Sequence, residues 1–71
     1  MAGVSEPVAV LGLGAMGRRM ARRAVEAGIP TIVWNRHPEA TRELAEAGAE
    51  VADSAADAAL RAGIVVTMVS D

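Results

Sequence analysis

Three glycines and a short polar triplet are the parts of this chain whose types and spacing chemistry can use. Gly12, Gly14 and Gly17 form a G-x-G-x-x-G turn, and Asn35, Arg36 and His37 close the next apolar run. In such a turn Gly12 permits a tight reversal from strand to helix, and Gly14 lets the backbone approach a pyrophosphate. Gly17, having no Cβ, lets the helix lie close to the strand. The amides of Leu13, Ala15 and Met16 would then face the anion. They lie where a helix has unpaired N–H groups and the positive end of its dipole, so one anion satisfies both.

The triplet bears on which dinucleotide fits. An Asp or Glu about 20 residues beyond the glycines accepts hydrogen bonds from the ribose hydroxyls of NAD. Here Asn35 stands at that place and Arg36 follows it. A neutral amide removes the repulsion that excludes a 2′-phosphate, and a guanidinium can bind that phosphate through two N–H donors. The expectation is NADP in preference to NAD, with NAD possible. His37, the only histidine, offers a third donor or begins the next helix. Beside Pro38 the second role is the more ordinary one.

Glycines alone prove little, because a glycine-rich turn can simply pack a helix on a sheet; the flanking elements decide. Val8 to Leu11 suits a buried parallel strand, and helical periodicity begins at Met16. Further on, Ala27-Gly28, Ala47-Gly48 and Ala62-Gly63 each read as a helix end, with the glycine in the left-handed conformation that stops the helix. Strands are expected over about 8–12, 31–35, 50–52 and 64–69, and helices near 15–27, 38–47 and 54–62. Pro38 suits a first helical position, and Ser54 with Asp57 resembles a capping box. Alternating strands and helices imply an α/β, Rossmann-type three-layer fold with a parallel sheet and right-handed crossovers.

Composition narrows the possibilities. The chain has 71 residues, one aromatic, Trp34, and much of its apolar content is alanine. A core built from such residues stabilises by a few kcal/mol at most, on the order of what small domains reach. The net charge of −2 gives no reason to expect nucleic acid or an anionic membrane as partner. Arg18, Arg19, Arg22 and Arg23 cluster on one side of the first helix, and read as a solvated face because no aromatic interleaves with them. Met16, Met20, Ala21, Ala24 and Val25 are expected on the opposite side, packed on the sheet, with the methionines as core filler. There is no cysteine, so disulfides are excluded. The segment before Val8 is too short and polar for a signal peptide, and no apolar run approaches about 18 residues. A cytoplasmic origin is the default expectation.

The run Gly12-Leu13-Gly14-Ala15-Met16-Gly17, followed by Met20-Ala21, resembles the amino-terminal signature of the β-hydroxyacid dehydrogenases. That group includes 3-hydroxyisobutyrate dehydrogenase and, more distantly, 6-phosphogluconate dehydrogenase. Trp34-Asn35-Arg36, Ala47-Gly48-Ala49 and Met68-Val69-Ser70-Asp71 extend the resemblance over nearly the whole chain. The imine reductases share the glycine turn and Trp-Asn-Arg. They usually continue with Thr and a nearby Lys, whereas this chain has His37 and no lysine.

The resemblance implies the amino-terminal part of an NADP-binding domain in an oxidoreductase that moves hydride between the nicotinamide and a small hydroxy acid or its aldehyde or keto partner. It also implies Val69 and Ser70 near the nicotinamide riboside. By the same resemblance, catalysis depends on a lysine and other polar groups in the later part of the family's chains, and an all-helical second domain forms a homodimer. No residue here matches those motifs, so no catalytic residue is assigned and the 71-residue segment alone is expected to be inactive. Imine reduction and a non-catalytic module that senses the dinucleotide remain as alternatives.

Overall fold

The computed structural model describes residues 6–67. Four strands, β1 (Val8–Leu11), β2 (Thr31–Trp34), β3 (Glu50–Val51) and β4 (Ile64–Thr67), form one parallel sheet in the order β3-β2-β1-β4. Three helices connect them: α1 (Ala15–Glu26), α2 (Arg42–Ala47) and α3 (Ala55–Arg61). Val10 is central, in register with Val33 on one side and Val66 on the other.

Strand side chains alternate between the faces of a sheet, and each face here has its own small core. Val10 and Val33 pack with Leu13, Ala21 of α1 and Leu44 of α2. On the other face Ala9 and Ile32 pack with Ala52 and with Ala58 of α3, and Leu11 and Trp34 lie against them. Helices therefore cover both faces, which is the expected three-layer arrangement. Alanine dominates the α3 face, and a helix can approach a sheet closely only where side chains are this small. Leu44, Val10 and Val33 are the largest side chains that are fully buried.

Several details differ from the sequence reading, each for a local reason. The helix expected over 38–47 is two pieces, a 3-10 turn over Pro38–Thr41 followed by α2. The buried Thr41 hydroxyl donates to the Pro38 carbonyl at 2.6 Å and holds that turn tight. Gly28 and Gly48 stop α1 and α2 with positive φ, but Gly63 does not. After α3 the chain is already extended at Ala62, and the Gly63 amide donates to the Pro7 carbonyl at 2.9 Å at the entry to β1. Ser54 caps α3 by accepting from the Asp57 amide at 3.0 Å. The reciprocal half of the capping box is replaced, because the Asp57 carboxylate accepts from Arg61 at 3.0 Å.

The largest correction concerns the first helix. Gly17 and Ala21 form its buried line, while Met16 and Met20 are 62% and 41% exposed. Residues four apart stack on one helical line, so the small pair brings the helix backbone down onto the sheet and turns the methionine pair to the flank. Arg18, Arg19, Arg22 and Arg23 are exposed, as expected of a solvated face. Glu43 of α2 pairs with both Arg18 and Arg22, at 3.4 and 2.9 Å, and links the two helices at the surface.

A core this small leaves little reserve against truncation. Leu44→Ala should cost about 2–5 kcal/mol, the usual range for a buried leucine. It should therefore abolish the cooperative thermal transition followed by circular dichroism, and an unchanged transition would contradict this packing.

Candidate functional site

The glycine turn begins where β1 stops. Gly12 has φ 96°, a left-handed value that only glycine adopts readily, and its amide donates to the Trp34 carbonyl at 2.9 Å. One residue on, the backbones of the two strands part, yet the pairing continues. The Leu13 amide donates to Asn35 Oδ1 at 2.7 Å. Asn35 Nδ2 in turn donates to the His37 carbonyl at 3.1 Å. The Leu13 side chain points the other way and is buried in the core.

Gly14 then caps α1 in an extended conformation, φ −69° and ψ −169°, and its carbonyl accepts the first helical bond, from the Arg18 amide at 2.9 Å. No side chain caps this helix and its first turn holds no acidic residue. The amides at its start are consequently directed at the space beyond, with the positive end of the helix dipole behind them. That donor set fits a phosphate or pyrophosphate.

A cleft of about 630 Å³ opens over these groups. It is lined by Leu11 to Gly14, by Trp34 to His37, and by Ala55 and Thr67 at the start of α3 and the end of β4. It thus spans the carboxyl ends of β2, β1 and β4. The chain runs outward from β1 to β2 and β3 and returns to the other side of β1 as β4, and ligands of open α/β sheets bind at such a switch point. Arg36 is exposed on the rim and makes no ion pair among the described residues. A smaller hollow of about 390 Å³ lies at the opposite end of the sheet, beside Pro7, Pro30 and Arg61. There Arg61 bonds Asp57 and Glu50; the Asp57 hydrogen bond, then the Glu50 charge, raise its already high pKa, so it stays ionised at any working pH.

The structure gathers Gly12, Leu13, Gly14, Asn35, Arg36 and His37 at one cleft, with Ala15, Met16 and Gly17 in the adjoining first turn of α1. Val69 and Ser70 lie outside the described residues. One role changes. The Leu13 amide, expected to face an anion together with those of Ala15 and Met16, is already taken by Asn35. His37 immediately precedes the 3-10 turn, and its carbonyl accepts from the Ala40 amide at 3.0 Å, so it does begin the next helical segment. Ala55 and Thr67 were not singled out in the sequence. Neither has a chemical signature, and the topology alone brings them to the cleft.

This arrangement of strand, glycine turn and helix matches a known domain model. Residues 7–71 match the NAD binding domain of 6-phosphogluconate dehydrogenase. The chain belongs to that family. Among curated relatives, the mitochondrial 3-hydroxyisobutyrate dehydrogenase of Rattus norvegicus is 42% identical over 62 residues, covering 87% of this chain and 18% of the relative. Among solved structures, the imine reductase from Myxococcus stipitatus in complex with NADP+ superposes with a TM-score of 0.88 at 37% identity, covering 92% of this chain and 22% of that one. A V8 variant of the Myxococcus stipitatus imine reductase, in complex with NAD+, gives a TM-score of 0.89 at 33% identity, with 94% and 23% covered. The chain spans about a fifth of the length of the curated relatives it matches.

Among the described residues no group of three His, Cys, Asp or Glu could hold a metal ion, and no helix is long and apolar enough to cross a membrane.

The turn geometry makes a specific demand at Gly12. Gly12→Ala should lower stability by about 1–3 kcal/mol in denaturant melts, the cost of a left-handed conformation for a residue with a Cβ. Gly14→Ala, at an ordinary φ, should cost less, and the reverse order would contradict the turn described.

Proposed function

We propose that the chain is the first part of an NADP-binding domain, in an oxidoreductase that moves hydride between NADP(H) and a small hydroxy acid or its aldehyde or keto partner. The observation that carries the cofactor preference is Arg36, exposed on the rim of the cleft with its guanidinium unpaired among the described residues. The uncapped start of α1 would receive the pyrophosphate through the amides of Ala15 and Met16. Arg36 would receive the 2′-phosphate, with no carboxylate at position 35 to repel it. Gly14, having no side chain, leaves room for close approach of the pyrophosphate. Trp34, Ala55 and Thr67 form the walls.

The cofactor would accept hydride from the hydroxy acid or supply it to the aldehyde or keto partner; the residues of this chain would bind and orient the cofactor. Catalytic acid and base groups, Val69 and Ser70 near the nicotinamide riboside, and a helical domain that forms a homodimer complete the proposal for the intact protein. The hydroxyacid reading draws support from the 3-hydroxyisobutyrate dehydrogenase likeness and from His37, where the imine reductases usually carry Thr. Imine reduction is the second reading, supported by the likeness to the two Myxococcus stipitatus imine reductase structures.

Trp34 lines the cleft and reports on its occupancy. Titration of the folded chain should quench Trp34 emission at roughly tenfold to hundredfold lower NADPH than NADH, the range one charge-assisted hydrogen bond network can provide. Arg36→Asp should remove that preference. Equal affinities in the unaltered chain would overturn the NADP assignment while leaving the domain family intact.

A further inference from the structure

We infer that Asn35 is a two-ended positioning residue: it fixes the shape of the pyrophosphate turn, and so governs affinity for the dinucleotide as a whole, leaving discrimination at the 2′ position to Arg36. This rests on the reading of the cleft as a dinucleotide site. A carboxamide has one oxygen acceptor and one NH2 donor, and both are engaged here, with Leu13 N–H at 2.7 Å and the His37 carbonyl at 3.1 Å. What remains for a ligand is one N–H and one lone pair, against the five donors of Arg36.

The two bonds connect parts of the cleft that are far apart in sequence. Backbone pairing between β1 and β2 ends with the Gly12 amide on the Trp34 carbonyl, and the Asn35 side chain adds one further rung after the backbones separate. Its other end reaches the carbonyl that also accepts from Ala40 at the start of the 3-10 turn. Arg36 is therefore bracketed by Asn35 and by the anchored His37 carbonyl, while its own side chain stays free for a ligand. Because Leu13 is only 4% exposed, loss of the Oδ1 acceptor would strand its amide.

The same geometry says why the residue is Asn. An aspartate would still accept from Leu13 but would set a carboxylate oxygen against the His37 carbonyl, two acceptors with no proton between them. Glutamine carries one methylene too many for both distances, and alanine supplies neither group. The absence of a charge at position 35 is, on this argument, secondary to the need for a donor and an acceptor on one short side chain.

Amide hydrogen exchange of the full chain, combined with NADPH and NADH titrations read by Trp34 emission, tests the inference. In the unaltered chain the Leu13 amide should be protected. In Asn35→Ala its protection should fall about tenfold or more while Val10 and Val33 keep theirs, and affinity for both cofactors should drop by a common factor, about tenfold. Asn35→Asp should restore Leu13 protection, since the acceptor returns. Unchanged Leu13 exchange in a folded Asn35→Ala chain would overturn the inference, as would a loss of NADPH affinity alone. If the unaltered chain bound neither cofactor, the dinucleotide reading and the affinity half of the inference would fall together, and the Leu13 exchange alone would decide whether Asn35 shapes the turn.

Discussion

Leu13 has to satisfy two opposite demands, and the bond from its amide to Asn35 reconciles them. Its side chain belongs to the core beneath the sheet, whereas its backbone belongs to a turn that faces solvent and ligand. A buried amide without a partner costs about 1–3 kcal/mol, which is a large share of what so small a core can supply. The Asn35 oxygen removes that cost by taking the place of a strand carbonyl after the strands have diverged. This one contact, with the bond from Asn35 to the His37 carbonyl, ties the glycine turn to the loop that carries Arg36.

The rest of the molecule is a platform for that contact. Two thin cores hold a parallel sheet between α1 and α2 on one face and α3 on the other. Small side chains do much of the work, since Gly17, Ala21 and Ala58 allow backbones to approach where larger residues would hold them apart. The surface ion pairs add little, because exposed pairs contribute about 0–1 kcal/mol each. They do tie α1 to α2 through Glu43, which reaches Arg18 in the first turn of α1 and Arg22 past its middle. The resulting site is built from the backbone of one loop and the side chains of another, held in register by an amide that belongs to neither the core nor the surface.

Much of this was legible in the sequence because the signals were local. The glycine spacing, the Ala-Gly stops after the first two helices and the alternating apolar runs each depend on a few neighbouring residues, and each describes the element found there. Failures came where a distant contact decided the outcome. The Ala62-Gly63 pair predicts a left-handed stop at Gly63, but its amide is engaged by Pro7 from the far end of the chain. Met16 and Met20 have the right spacing for a buried face, and lost that face to Gly17 and Ala21, which pack closer. At Asn35 the sequence shows a missing charge, whereas its bonds to Leu13 and His37 depend on a strand pairing that no local pattern encodes.

In the proposed division of labour, the start of α1 would take the pyrophosphate, Arg36 would take the 2′-phosphate, and Asn35 would hold the two loops at the right separation. A crystal structure of the chain with NADPH tests this most directly. The pyrophosphate should lie on the amides of Ala15 and Met16 and the 2′-phosphate on the Arg36 guanidinium, with the Leu13 amide still bonded to Asn35. A pyrophosphate that displaced Asn35 from the Leu13 amide, or a 2′-phosphate held away from Arg36, would contradict it.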